Sequence, residues 1–549
     1  MRMPEKKIEF VNDLDVEDDE THWHTLMNTF EIVPGIHKRG SLAWGYFKDD
    51  IEKDGWGKLR IETAEAIIPE QLSFKAAGYL EGYLTWNYIA NFSANYFNLM
   101  FNTTDSTQFP KGVMDFVQKN YEWTVYTCNA TDPGDPYWHQ VVMVLEQFEG
   151  LWLGYNAACH TNGHKEMTII EMLLVNLIGD INDIMSATIP AESEFSVQSQ
   201  KKLEKYFAET GRCSGLIKLT PDFSDLFVAH TTWGSYTSML RIFKRIKIVA
   251  PTLVYGYESL FSSYPGVMVS DDDFYIIRPS NLVVIETTNP IVNQTLFSQI
   301  QPGSLLYWIR NLVSNRLSYT GQDWVKTMMR YNSGTYNNQW MVVDYKLFTP
   351  YQPLPPNTLW IVEQMPGRFE MADVTNVLQN GYWSSFNRPF FESIFQDMGY
   401  TYYTQLYGNA ISYQLNPRAM IFRRDQSNIY SVEDMQAMMT YNEYRTDPFS
   451  DGYPGSAIAS RFDLGAGPNI LNWFYQGSHG AIDSKVTSSS MVKSFTAMAI
   501  NGPTVTPDCP PFSWKQYPDV PHQGLPEVAF TSVLNLSFRI VRKDSGGKR

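Results

Sequence analysis

The sequence predicts a layered α+β protein with antiparallel sheet in its interior. Before Pro190 the chain carries mostly helical apolar spacing; after Cys213 it carries one short strand pattern after another. Helices and hairpins segregated along one chain point to α+β architecture rather than to alternating βαβ units. The third observation is compositional. Aromatic residues make up 15% of the chain and charged residues only 18%, against ~25% charge in ordinary domains. Abundant rings suit half-buried strands and exclude a disordered scaffold, which needs low hydrophobicity to stay unfolded. At ~150 residues per domain, a chain of 549 residues has room for three or four domains.

Taken in order, residues 11–22 form an acidic run that looks superficially like a calcium loop. Asp18 stands where such a loop needs glycine and His24 where it needs its closing Glu, so a solvated acidic segment is the reading. Residues 41–47 alternate as a strand, and helical spacing follows over 61–88, 111–123, 141–152 and 166–184. The most apolar stretch, 167–185, is interrupted by Glu171, Asn176, Asp180, Asn182 and Asp183. A membrane span needs ~20 mostly apolar residues, so this is an amphipathic helix. Residues 190–212 are polar and lack an apolar stripe, as expected of an exposed linker or pro-segment. Strand patterns then dominate. Residues 215–220 and 225–230 form a hairpin across Pro221 and Asp222, a helix is expected over 235–246, and strands over 266–270, 274–277, 282–288, 340–345 and 358–363. The last third is rich in turns, such as Asp451-Gly452 and Cys509-Pro510. There are no internal repeats.

Lys plus Arg total 43 and Asp plus Glu 58, a formal charge of −15. Nucleic-acid binding needs a basic face to neutralise phosphates, and only residues 539–543 are locally basic, so no nucleic-acid partner is expected. The amino terminus has the charge of a signal peptide's first region but no apolar stretch after it. Four cysteines do not make a disulfide framework. Cys128 and Cys159 form one bridge or remain two buried thiols. Asn91, Asn102, Asn129, Asn293 and Asn535 head glycosylation sequons, compatible with export without requiring it.

Several chemistries are absent from the motifs: no Gly-x-Ser-x-Gly elbow, no His-Glu-x-x-His and no Walker A loop. Gly465 and Gly467 do not link a strand to a helix and carry no dinucleotide signal. His22 with His24, and Cys159, His160, His164 with Glu166, are the two clusters resembling metal ligands. Neither has a second motif at a recognisable spacing, so no metal and no cofactor are expected. Cys213 is different. It stands between the polar linker and the first hairpin, and cutting the Arg212–Cys213 bond would make it an amino terminus. A free α-amine, with a reference pKa of ~7.7–8.0, takes a thiol proton near neutral pH, which an amide nitrogen cannot do. The structural alternative is a small buried hydrophobe at a strand start.

The string CSGLIKLTPDFSDLFVAHTTW at 213–233 strongly resembles the phospholipase B-like family of N-terminal-nucleophile hydrolases. The resemblance continues through DDFY at 272–275, ETT at 286–288, GYWSSFNRPFF at 381–391, PRAMIFRRD at 417–425, SHGAIDSKVT at 478–487 and PPFSW at 510–514. It is looser before the linker, as in LLVNLIGDI at 173–181. It implies a four-layer αββα sandwich of two antiparallel sheets flanked by helices. Residues 1–189 would be the amino-terminal portion of one unit, 190–212 the linker removed on maturation, and 213–549 the carboxy-terminal portion. It further implies Cys213 as nucleophile, Asn387 as oxyanion donor, Arg418 as orienting cation, and His230, Trp233 and Thr287 or Thr288 lining the site. An acyl substrate such as a phospholipid, a maturation protease or self-cleavage, a homodimer, and a secreted or lysosomal location follow from the same resemblance. An amidase acting on N-acyl amides or short peptides, and a catalytically silent lipid-binding homologue, are the alternatives it leaves. The family's carboxy-terminal disulfide has no counterpart, because Cys509 is the only cysteine after Cys213.

Overall fold

Strand Trp56–Thr63 precedes the polar linker and strand Arg241–Lys247 follows it, yet the two pair in parallel, Trp56 opposite Arg241 and Glu62 opposite Lys247. The chain on both sides of the linker therefore builds one sheet. The computed structural model describes residues 6–11, 30–34, 41–64, 69–189, 213–249, 252, 254–465, 476–529 and 534–536. Among them, the larger sheet has 11 strands. Its order is Arg368–Asp373, Leu359–Met365, Asn338–Asp344, Leu282–Thr288, Phe274–Pro279, Gly256–Ser263, Arg241–Lys247, Trp56–Thr63, Ala43–Asp50, Lys6–Val11 and Glu31–Pro34. Every pairing except the parallel one is antiparallel. The smaller sheet has 6 strands, all antiparallel: Tyr382–Ser385, Ser214–Leu219, Leu226–Ser235, His479–Thr487, Ala497–Asn501 and Leu534–Leu536.

Alternation along the strands sets the layers. Trp340 meets Trp324 of helix Gly321–Met328, ring centroids 5.4 Å apart, while its neighbour Met341 points the other way. A Cβ at Gly215 of the smaller sheet would lie 3.3 Å from Met341 Cε and 3.4 Å from Thr287 Cγ2. Phe227 and Ala229 join an apolar cluster with Met435 and Met439 of helix Val432–Met439 on the outer side of the smaller sheet. His230 and Thr232 take the alternate positions, toward the larger sheet. The result is helix, sheet, sheet, helix, the four-layer sandwich implied by the resemblance.

The helical layer over the larger sheet rests on Glu70–Leu84 crossing Pro136–Asn162. The second begins cleanly, with Asp135 accepting from the backbone of Tyr137 and Pro136 in the first turn. The two helices interlock through glycines: a Cβ at Gly78 would sit 1.8 Å from Gln147 O, and one at Gly150 2.0 Å from Lys75 O. Backbone meets backbone there, which no larger residue permits.

Four expectations change. Residues 235–246 are not a helix but a short 3-10 turn, Tyr236–Met239, followed by strand Arg241–Lys247, because ladders on both sides outweigh local spacing. Residues 266–270 are a loop, since positive φ at Gly266, Asp271 and Asp272 keeps the backbone from extending. Within 61–88, strand Trp56–Thr63 claims the first residues and helices Glu70–Leu84 and Trp86–Phe101 follow. The helix of 166–184 is two, Ile169–Asn176 and Ile181–Thr188, divided where Asn176 bonds Gly266 O and Met268 N across the gap. Nor do the described residues divide into three or four separate domain-sized cores. One apolar core takes residues from before and after the linker, including Trp56, Val144, Phe243 and Trp340.

Candidate active site

Cys213 immediately precedes strand Ser214–Leu219, is fully buried, and has φ of +87°. Left-handed backbone is uncommon for a residue with a side chain and costs on the order of 1–3 kcal/mol. Two other site residues share it: Asp272 at +67° and Asn387 at +64°. Strain of this kind persists only where the surroundings over-determine it, and here those surroundings are a ring of polar side chains.

The ring begins with sheet register. Gly215 lies opposite His230, and Lys485 lies on His230's other flank. A bulge between Ala481 and Asp483 brings Asp483 opposite Thr232. Lys485 Nζ donates to Thr232 Oγ1 at 2.6 Å and pairs with Asp483, whose other oxygen lies 2.9 Å from Arg241. The larger sheet contributes Glu286, whose Oε1 lies 3.9 Å from His230 Nε2 and accepts from Tyr336 OH at 3.1 Å. The Cys213 thiol donates to Asp272 Oδ1 at 3.5 Å, and Tyr264 OH donates to Asp272 Oδ2 at 2.7 Å.

Burial in this space, then the carboxyl group of Asp272, push the Cys213 thiol well above its ordinary range. Burial, with Lys485 and Arg241 nearby, pushes His230 far down, so its imidazole is neutral. Burial, then Asp273 and Asp272, push Glu286 well up, so it holds its proton. The nucleophile candidate is thus a neutral thiol beside a neutral imidazole. Among the described residues, the three whose ligand atoms lie within 4.8 Å of one another are Cys213, His230 and Glu286. That donor set suits a borderline divalent cation as well as a protected nucleophile.

Arg418 joins the second side of the site. Helix Pro417–Asp425 starts with Pro417 in its first turn and Asn416 capping Arg418 N–H. From there Arg418 donates to Cys213 O at 2.6 Å, Ser214 Oγ at 3.2 Å, Phe386 O at 2.7 Å and Asn387 Oδ1 at 2.7 Å. Its guanidinium lies 4.2 Å from the centroid of the Trp233 ring. All four acceptors are neutral, and burial together with Arg388 pushes its pKa down. Asn387 is held further by Nδ2 donating to Thr288 O at 2.6 Å and by its N–H donating to Thr287 Oγ1 at 3.4 Å. Thr287 thus acts through its hydroxyl and Thr288 through its carbonyl. Trp233 Nε1 donates to Ile458 O at 3.0 Å, making the ring a fixed floor under Arg418.

Cys213, His230, Trp233, Thr287, Thr288, Asn387 and Arg418 therefore converge from five separate stretches of chain. Arg212 lies outside the described residues, as do His22 and His24. Cys159 is buried whereas the His160 side chain is 85% exposed, so that cluster does not assemble. The pairing of Cys128 with Cys159 is corrected: both are free thiols, on helices Lys111–Ala130 and Pro136–Asn162, and Cys159 bonds with Tyr155 instead. Asn102 and Asn129 are exposed, Asn91 and Asn293 half-buried, and the Asn535 side chain lies outside the described set. Sequence reasoning missed Asp272, Glu286, Tyr264, Tyr336, Arg241, Asp483 and Lys485 as site residues. The available signal was charge inside apolar runs: Glu286 within Leu282–Thr288, and three consecutive aspartates before Phe274–Pro279.

Comparison with known proteins shows the family. A family model described as Phospholipase B matches residues 43–534. Phospholipase B-like protein E of Dictyostelium discoideum is 49% identical over 516 residues, covering 93% of each chain. Phospholipase B of Crotalus adamanteus is 37% identical over 518 residues, covering 93% of this chain and 91% of that protein. With the matched span containing every residue of the site, the chain belongs to the phospholipase B family.

Proposed function

We propose that this chain is the precursor of an acyl-ester hydrolase that removes acyl chains from glycerophospholipids with Cys213 as amino-terminal nucleophile. One observation carries the reading: a buried thiol next to His230 and Glu286, whose own carbonyl is held by Arg418 at the mouth of the smaller sheet. In the uncut chain no α-amine is available and the thiol stays protonated, so the precursor is inactive. Cutting Arg212–Cys213 supplies the amine. The amine takes the thiol proton while sulfur attacks the acyl carbonyl; Asn387 and backbone N–H groups stabilise the oxyanion, ~3–4 kcal/mol for a good donor. The ammonium then protonates the leaving alcohol, and water assisted by the same amine releases the acid. Secretion or delivery to an acidic compartment, with glycans on exposed sequons such as Asn102 and Asn129, fits this role.

The test is fragment mass spectrometry of the purified chain after acid or protease treatment, paired with assays on phosphatidylcholine and on an N-acyl amide. A new amino terminus at Cys213 with ester hydrolysis lost in Cys213→Ala is expected. Hydrolysis by the uncut chain overturns the proposal, and turnover of the amide alone reassigns the substrate class.

A further inference from the structure

We propose that Cys213, His230 and Glu286 form a binding site for a zinc-class divalent cation that clamps the Cys213 sulfur. The expectation of no metal rested on ligands close together along the chain. Here the three donors come from three strands in two facing sheets: Cys213 immediately before Ser214–Leu219, His230 on Leu226–Ser235 and Glu286 on Leu282–Thr288. Binding needs only this geometry; its effect on turnover rests on the reading of Cys213 as nucleophile.

One ligand atom from each residue lies within 4.8 Å of the other two, and His230 Nε2 and Glu286 Oε1 are 3.9 Å apart. Zinc bonds of about 2.0–2.3 Å set tetrahedral donors roughly 3.3–3.6 Å apart, so closing on an ion takes side-chain shifts of about 1 Å or less. All three residues are fully buried, yet His230 Nε2 and Glu286 Oε2 have no hydrogen-bond partner among the described residues. A buried polar atom without a partner has given up its hydration for nothing, and two of them beside one thiol call for an occupant. Neighbouring contacts also select the ligating tautomer. Thr232 Oγ1 accepts from Lys485 Nζ at 2.6 Å and its hydroxyl bonds Asp483, so its 3.5 Å contact with His230 Nδ1 takes the proton from the ring. That leaves the lone pair on Nε2, the nitrogen facing Glu286. A ligating histidine is commonly held through its other nitrogen in this way. Glu286 Oε1 is fixed as well, by the N–H of Asp273 at 3.2 Å and by Tyr336 OH at 3.1 Å.

One sulfur, one nitrogen and one oxygen donor favour zinc or cobalt over magnesium and calcium, which take oxygen ligands. Three protein donors leave the fourth tetrahedral position to water. As the ion binds, metal–sulfur and metal–oxygen bonds form while the thiol proton and the Glu286 carboxyl proton leave to the buffer. Nothing is oxidised or reduced. Two protons are exchanged for two positive charges, so the net charge of the buried space does not change. The sulfur lone pair that would attack an acyl carbonyl is then held in the metal bond, which stops turnover until the ion leaves.

The test dialyses purified full-length chain, stripped with a chelator, to equilibrium against Co2+ or Zn2+, because a closed site loads only through local opening. Co2+ should give a sulfur-to-cobalt charge-transfer band in the near ultraviolet that Zn2+ removes. Cys213→Ser should lose the band, and His230→Gln and Glu286→Gln should each weaken Co2+ binding at least tenfold. Absence of the band in wild type overturns the proposal, as does an undiminished band in folded Cys213→Ser, which would place the sulfur at another cysteine. Should the variants fail to fold, zinc X-ray absorption on wild type decides. One sulfur at about 2.3 Å among nitrogen and oxygen neighbours supports the site, and a shell without sulfur or with several overturns it. Phosphatidylcholine hydrolysis by the cut chain separates the two readings. Hydrolysis lost with Zn2+ and restored by chelator supports both. A band with no hydrolysis before or after chelation ends the hydrolase reading and leaves the metal site standing. Hydrolysis that Zn2+ does not slow, in a chain that shows no band, does the reverse.

Discussion

At Arg418 four hydrogen bonds from one buried guanidinium tie together two stretches of chain beside the thiol: Cys213 O and Ser214 Oγ at the start of one strand, Phe386 O and Asn387 Oδ1 just past the end of another. Among the described residues no carboxylate pairs with it, so its planar fork is spent on fixing geometry. Arg418→Ala should strand several buried acceptors and lower stability by at least ~3 kcal/mol, read in denaturant unfolding. Arg418→Lys should recover charge but not the fork, leaving most of that loss in place. A lysine variant with wild-type stability would show that the charge alone matters. Asp272, inside the matched DDFY string but not marked by it as a site residue, is held by contacts with Tyr264 and Tyr336, each separated from it in sequence and adjacent only after folding.

Two elements invite direct perturbation. The crossing of Glu70–Leu84 on Pro136–Asn162 leaves no room for a methyl group, with Gln147 O 1.8 Å from a Cβ at Gly78. Gly78→Ala should force the helices apart and lower stability by about 1–3 kcal/mol, observable as a fall in the thermal midpoint. An unchanged midpoint would mean the helix pair shifts freely. The second element is the segment after Asn387. Glu363 accepts from the N–H groups of Phe390 and Phe391, at 2.7 and 3.0 Å, and from Gln339. Burial nonetheless pushes its pKa up to about 7. A raised carboxyl pKa means the folded state holds the proton more tightly. The stabilisation is complete below the unfolded value of ~4.3, is lost as pH rises toward about 7, and is gone above it, on the order of 3 kcal/mol in all. Glu363→Gln should flatten the stability difference between about pH 5 and pH 8 in denaturant titrations. A slope identical to wild type would assign that pH dependence elsewhere, for example to Asp180, raised to about 6 by burial.

For the molecule as a whole, the parallel seam between Trp56–Thr63 and Arg241–Lys247 means that cutting after residue 212 severs the chain without severing the sheet. The two pieces should co-elute on size exclusion after the cut and separate only in denaturant; dissociation in native buffer would mean the seam and the shared core do not hold them. The sequence by itself determined much of this molecule. Apolar patterns over 215–220, 225–230, 340–345 and 358–363 mark real strands, the spacing over 111–123 and 141–152 marks real helices, and the ordered string from Cys213 to Arg418 names His230, Asn387 and Arg418 around Cys213 but not the carboxyl groups nearest its thiol. Each of these signals is local: a periodicity, or a residue type at a fixed place along the chain. What only the tertiary structure decided is non-local. Residues 241–247 became a strand because partners were waiting on both edges. Length alone allowed several domains, and one sheet crossing the linker made them one unit. Cys213 acquired its acceptor, its raised pKa and its strained backbone from residues up to 205 positions away. Burial and electrostatic fields depend on what surrounds a side chain in space, and a linear pattern carries no record of that until the layers close.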